Sequence, residues 1–125
     1  MHRAQREQIE EKFAKEKEEL EQDINRFLEE INLLDNQTHI NEYGNVIATL
    51  EYLEDKTPKF EERIERNIED DELLHDYKNE GFDNFNLAKN KLSKLGVLWR
   101  NIQSFYKERK VLIHNFQKKL ILNNI

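Results

Sequence analysis

Eleven positions spaced alternately by three and four run from Phe85 to Leu120, and ten of them are apolar. They are Phe85, Ala88, Leu92, Leu95, Trp99, Ile102, Tyr106, Arg109, Ile113, Phe116 and Leu120, with Arg109 the one charge. A 3.5-residue repeat held this long specifies one long helix with a single seam turned toward other helices. At ~1.5 Å per residue such a helix is roughly 55 Å long. That length predicts a rod and not one side of a compact globule, with Trp99 at the centre of its core.

Two further heptad runs precede it. Phe13, Leu20, Ile24, Phe27, Ile31 and Leu34 share one phase, interrupted by Lys17, and predict a first helix over about 3–34. Its first third is dominated by Glu, Lys, Gln and Arg. The Glu11/Lys15 pair has the favourable i,i+4 order, while Lys12/Glu16 and Lys15/Glu19 have the weaker reverse order. Asp35 to Thr38 reads as a turn, with Asn36 or Thr38 as N-cap of the next helix. That second helix, over about 38–77, carries Tyr43, Val46, Leu50, Leu53, Phe60, Ile64 and Asn67 in one phase. Pro58 lies inside it. A proline there removes a backbone hydrogen bond and disfavours helix at Thr57, or it is the first residue of a new helix capped by Thr57. The phase runs unbroken through 50, 53, 57, 60 and 64, which predicts a kinked but continuous helix.

The second turn is read over Lys78 to Asn84, with Asp83 or Asn84 capping a third helix over about 84–122. Gly96 falls mid-helix on the flank of the seam, where it costs ~1 kcal/mol relative to Ala but admits close approach. Three long helices joined by two short connections predict an all-α, elongated, antiparallel three-helix bundle with coiled-coil-like packing. The expected core is Phe13, Leu20, Ile24, Phe27, Ile31, Leu50, Leu53, Phe60, Ile64, Leu92, Leu95, Trp99, Ile102, Tyr106, Ile113 and Phe116. The 125 residues read as a single domain. The apolar close, Leu120 to Ile125, suggests a piece of a much longer chain.

Charge is unevenly placed. Residues 1–83 hold 11 Lys/Arg against 25 Asp/Glu, whereas residues 84–125 hold nine Lys/Arg against Glu108 alone. A basic helix of this kind seeks RNA or an anionic membrane, or it lies between two acidic helices and helps set their register. The second reading fits better, because the basic residues flank an apolar seam that only Arg109 interrupts and no aromatic or Gly-rich RNA motif accompanies them. Arg109 is then expected either to reach water along its own stem or to pair with Glu29, Glu30 or Glu42. No stretch approaches the ~20 apolar residues of a membrane span. The absence of Cys fits a reducing compartment.

Little in the sequence points to chemistry. Gly occurs only at 44, 81 and 96, so no phosphate-binding Gly-x-x-x-x-Gly-Lys can be written. Glu72 and His75 have the Glu-x-x-His spacing of di-iron bundles, but no second such motif accompanies them. Leu73 and Leu74 are expected to point inward, leaving Asp70, Asp71 and Glu72 in water. His39, His75 and His114 lie in separate elements. Trp99 and Phe105 read as packing residues. No catalytic residue, metal site, cofactor or small-molecule ligand is expected.

The run Asn67-Ile68-Glu69-Asp70-Asp71-Glu72-Leu73-Leu74 closes the second helix. After the turn come Leu92, Leu95, the pair Leu98-Trp99, and Phe105 six residues beyond the Trp. Together with the spacing of Phe13, Leu20, Ile24 and Phe27, this resembles axonemal dynein heavy chains, in the tail segment leading into the linker. The resemblance spans roughly residues 10–116 and rests on Asn67, Glu69, Asp70, Leu98, Trp99 and Phe105. It departs at Arg66, where the family often has Ile, at Leu112, near which the family has a second Trp, and at His114-Asn115-Phe116, where the family tends to have Gly-Pro-Phe. The resemblance implies a non-catalytic, force-transmitting segment of an ATP-hydrolysing microtubule motor in a cilium or flagellum. Its partners would be the rest of the heavy chain and intermediate or light chains, with neither nucleic acid nor membrane. The chain is expected to be cytoplasmic, and the alternative reading is a spectrin-like scaffold or coiled-coil adaptor whose acidic face recruits a protein partner.

Overall fold

The computed structural model describes residues 3–37, 39–75 and 82–123, the side chains of Leu74 and His75 excepted. Helix α1 spans Arg3–Asp35, α2 spans Tyr43–His75 and α3 spans Asp83–Asn123, with a 3₁₀ turn at Ile40–Glu42 before α2. All three helices pack on one another, and no strand occurs among the described residues. The chain is an all-α three-helix bundle.

Cross-helix pairs give the directions. Asp23 meets Arg63 and Glu30 meets Lys56, so α1 and α2 run antiparallel. Glu61 meets Lys89 and Glu54 meets Arg100, so α2 and α3 also run antiparallel. Asn25 bonds Asn84 and Asn32 bonds Lys91, both at a separation of 59 residues, so α1 and α3 are parallel.

Pro58 lies inside an unbroken α2. The seam through Leu53 and Phe60, both buried, holds the segment against its neighbours on either side of the lost hydrogen bond. The start of α2 differs from expectation. The helix begins at Tyr43 and not near Thr38, because residues 40–42 wind as a 3₁₀ turn, in which the Glu42 N–H donates to the His39 carbonyl at 3.1 Å. Asn36 is no cap: its N–H bonds back to the Asn32 carbonyl at 3.2 Å, as a final turn of α1. Helix α3 starts one residue early, with the Asn86 N–H bonded to the Phe82 carbonyl at 3.3 Å. That leaves Asp83 in the first turn, where the helix dipole favours a carboxylate. The expected end of α2 at Asp76 or Tyr77, the turn through Lys78 to Gly81, and Thr38 lie outside the described residues.

The core follows the heptad seams through the middle of the rod. Phe27, Ile24, Ile31, Leu50 and Leu53 are essentially inaccessible, and Phe13, Leu20, Phe60, Leu92, Leu95 and Trp99 are buried. One phenylalanine from each helix meets at a single level: Phe27 to Phe60 at 4.9 Å between ring centroids, Phe60 to Phe85 at 6.2 Å and Phe27 to Phe85 at 6.5 Å. Ile64, Ile102 and Tyr106 are only half-buried.

Burial does not continue to the end of the third seam. Ile113 is 48% and Phe116 64% exposed, contrary to the expectation that both are core. The cause is stagger. Tyr106 already stacks on Tyr43, the first residue of α2, with ring centroids 5.3 Å apart. Beyond that level no other helix lies beside α3 among the described residues. Trp99→Ala is therefore expected to cost about 3–5 kcal/mol in denaturant unfolding, and Phe116→Ala less than ~0.5 kcal/mol. Equal losses at the two sites would show that the seam is buried along its whole length.

Candidate interaction surface

The overhang of α3, residues 107–123, is exposed throughout. Its helical spacing gathers Leu112, Ile113, Phe116 and Leu120 into one apolar sector, which the exposed Phe105 extends toward the bundle. Five Lys/Arg and a single acid, Glu108, surround that sector. Arg109 is exposed and makes no ion pair with Glu29, Glu30 or Glu42. Those acids lie below it: Glu30 bonds Lys56 at 3.3 Å, and Glu42 accepts from the Gln37 amide at 2.9 Å. Of the two outcomes expected for Arg109, the structure shows the solvated one.

At the opposite end, α1 below Ile24 and α2 beyond Ile64 form a two-helix arm. The α1–α3 offset puts the start of α3 beside Asn25, so no third helix accompanies the arm among the described residues. The arm's seam is partly polar. Asn67 is buried, and its Oδ1 accepts no hydrogen bond. Asp71 is 1% exposed, whereas Leu73 is 84% exposed. This reverses the expectation that the leucine points inward and the acid outward. Residues 60, 64, 67 and 71 continue the seam of α2, so Asp71 lies in the seam, while Leu73 sits outside it, on the rim of a groove shared with Ile9, Lys12 and Phe13 of α1. Asp70 is half-buried, and Glu69 and Glu72 are exposed.

The two flanks of the α1–α2 pair differ in charge. On the side away from α3, α1 and α2 bridge each other with both signs: Arg63 to Asp23 at 3.0 Å and Lys56 to Glu30 at 3.3 Å. These pairs span an open groove floored by Phe27 and Phe60. The Lys56 ammonium lies 4.3 Å from the Tyr52 ring centre. Its pKa is raised by its bond to Tyr52, with burial opposing and Glu30 assisting. On the side toward α3, the residues that follow Asn25 and Asn32 back along α1 are Glu18 and Glu11, and the adjacent stripe holds Glu21 and Glu7, all exposed.

Where α3 does have partners, two of its basic residues pair with acids of α2. Lys89 reaches Glu61 at 3.1 Å. Arg100 forms a two-pronged bridge to Glu54, with Nη1 donating to Oε2 at 2.9 Å and Nη2 closer still to Oε1. That bond raises the Arg100 pKa above its ordinary value, with burial working against it. Gly96 makes room for the bridge: a Cβ there would lie 2.8 Å from Arg100 Nη1 and 3.5 Å from Glu54 Oε2. The basic surplus of α3 signalled such pairs, but their register was not readable from it.

The residues that carried the family resemblance do not form one site. Asn67, Glu69 and Asp70 lie in the arm, Trp99 is in the core, and Leu98 and Phe105 are 52% and 58% exposed on α3. Among the described residues, no three His, Asp or Glu side chains are placed to hold a metal, and no helix is long and apolar enough to cross a membrane. No family model, curated protein or solved structure matches the chain.

Gly96→Ala tests the close approach. The gain in helix propensity is about 1 kcal/mol, and the guanidinium tip that must move belongs to an exposed bridge worth ~0–1 kcal/mol. A neutral or slightly raised melting temperature is expected. A loss above ~2 kcal/mol would mean that backbone packing, and not the Arg100 side chain, demands glycine here.

Proposed function

We propose that this chain is a non-catalytic helical strut that links neighbouring protein segments and carries load along its axis. The observation behind this reading is the stagger. Among the described residues a three-helix section lies between two ends with fewer helices, one a basic apolar single helix and the other an acidic helix pair. A closed globule buries its seams internally, whereas a strut presents them at its ends for other helices to continue.

The resemblance to dynein heavy chains supplies the setting. In that reading the strut joins the tail to the linker of a ciliary or flagellar motor, contacts the remainder of the heavy chain and its intermediate or light chains, and leaves ATP hydrolysis to a distant ring. The exposed Glu7, Glu11, Glu18 and Glu21 flank also suits a scaffold or adaptor that receives a basic helix from a partner.

Fractionation of the native polypeptide distinguishes the two. A motor segment is expected in a species far larger than this chain that binds microtubules and is released by ATP. A cytoplasmic species indifferent to microtubules would overturn the motor reading in favour of the adaptor. The purified chain is expected to hydrolyse no ATP and to keep its melting temperature when nucleotide or chelator is added. A reproducible shift would overturn the non-catalytic reading.

A further inference from the structure

We propose that the exposed stretch of α3, residues 107–123, is a docking face for an acidic amphipathic helix of a partner protein, which takes there the place that α2 takes nearer the start of α3. The inference rests on the reading of the chain as a strut, and not on the motor setting.

Phase is the first support. Leu92, Leu95 and Trp99 are buried where α3 packs on α1 and α2, and Ile113, Phe116 and Leu120 hold the same heptad phase while exposed. A 3.5-residue spacing is what a helix needs when it faces other helices. A helix lying on a bilayer needs only a broad apolar arc, with its cations on the polar side. Arg109 stands instead on the seam itself, between Tyr106 and Ile113, where a carboxylate of an opposing helix would meet it.

Charge is the second. The stretch carries five Lys/Arg and one acid. Its lysines also repeat the positions through which α3 already meets its neighbours. Lys110 stands three heptads after Lys89, which pairs with Glu61 at 3.1 Å, and Lys107 stands one heptad after Arg100, which grips Glu54. Lys119 stands four heptads after Lys91, which donates to Asn32 Oδ1 at 2.8 Å. The stripes that find partners on α2 and α1 therefore run on past the level of Tyr43, where α2 begins. A helix with apolar a and d positions and Asp or Glu beside them continues both the seam and these pairs. Two copies of the stretch laid together would instead set lysines against lysines.

Two synthetic peptides of about three heptads test the proposal. One has Leu at a and d with Glu on both flanks, and the other keeps the Glu but has Ala in place of Leu. Fluorescence anisotropy of labelled peptide is expected to show the chain binding the Leu peptide and not the Ala peptide, more weakly as salt rises. Phe116→Glu with Leu120→Glu, both at exposed positions, should abolish binding and leave the melting temperature of the chain unchanged. Lys110→Glu should weaken binding by about fivefold or more. Lys118→Glu changes the net charge equally but lies on the far side of the helix from the seam, so it should weaken binding by less than about twofold.

Failure of the Leu peptide to bind would overturn the proposal and leave the strut reading to fractionation of the native polypeptide. Equal binding of the two peptides would also overturn it, as would equal effects of Lys110→Glu and Lys118→Glu, since either means charge attraction without a docked face. Capture by phosphatidylserine vesicles without peptide binding would assign the face to a lipid surface, and self-association without peptide binding would assign it to a second copy. Each of these results sinks the partner helix.

Discussion

The meeting of Phe27, Phe60 and Phe85 fixes how the three helices are aligned. Each ring is buried and each comes from a different helix, with centroids 4.9–6.5 Å apart. Aromatic groups of this size dominate core energetics, and their tilted contacts add about 0.5–1.5 kcal/mol per pair beyond area. Once these rings share a level, the rest follows from helix geometry. Residue 27 is late in α1, residue 60 is mid-α2 and residue 85 is at the start of α3. Helices so aligned do not finish together among the described residues.

Electrostatics reinforces that alignment more than it creates it. Lys89–Glu61, Arg100–Glu54 and Arg63–Asp23 are all partly exposed, and such pairs contribute ~0–1 kcal/mol each. Their value lies in discrimination. A heptad slip of α3 would separate Lys89 from Glu61 and Arg100 from Glu54 together. The buried Asn67 of the α2 seam acts in the same sense, because its Oδ1 accepts no hydrogen bond at a position an apolar residue would fill more stably.

Fold class was legible because the heptad phase is explicit in all three segments, and its continuity through Pro58 foretold an unbroken α2. Trp99 and Phe27 were legible for the same reason. The stagger was not. A heptad repeat looks the same after any shift of seven, so it says which face is buried but not where along the helix a partner ends. Ile113 and Phe116 were assigned to the core on phase alone. At Asp71 and Leu73 composition was weighed above phase, and phase proved the better guide. The 3₁₀ turn before Tyr43 left no cap-like signal, since His39 makes no side-chain cap hydrogen bond.

Stability must therefore vary along the rod. In its middle, buried seams from three helices meet around the phenylalanine rings. At the start of α1 the visible support is Arg3–Glu7, Arg6–Glu10 and Lys12–Glu16, all strongly exposed and one turn apart. Such pairs add a few tenths of a kcal/mol each, too little to hold a helix without packing. At the far end α3 continues for about four turns with its apolar sector in water. A helix in that position frays unless something covers it, and covering it removes apolar surface from water at ~25 cal/mol per Å². Among the described residues these two stretches are thus the least supported and have most to gain from contact. That coupling of local weakness to binding energy is what a joining element requires.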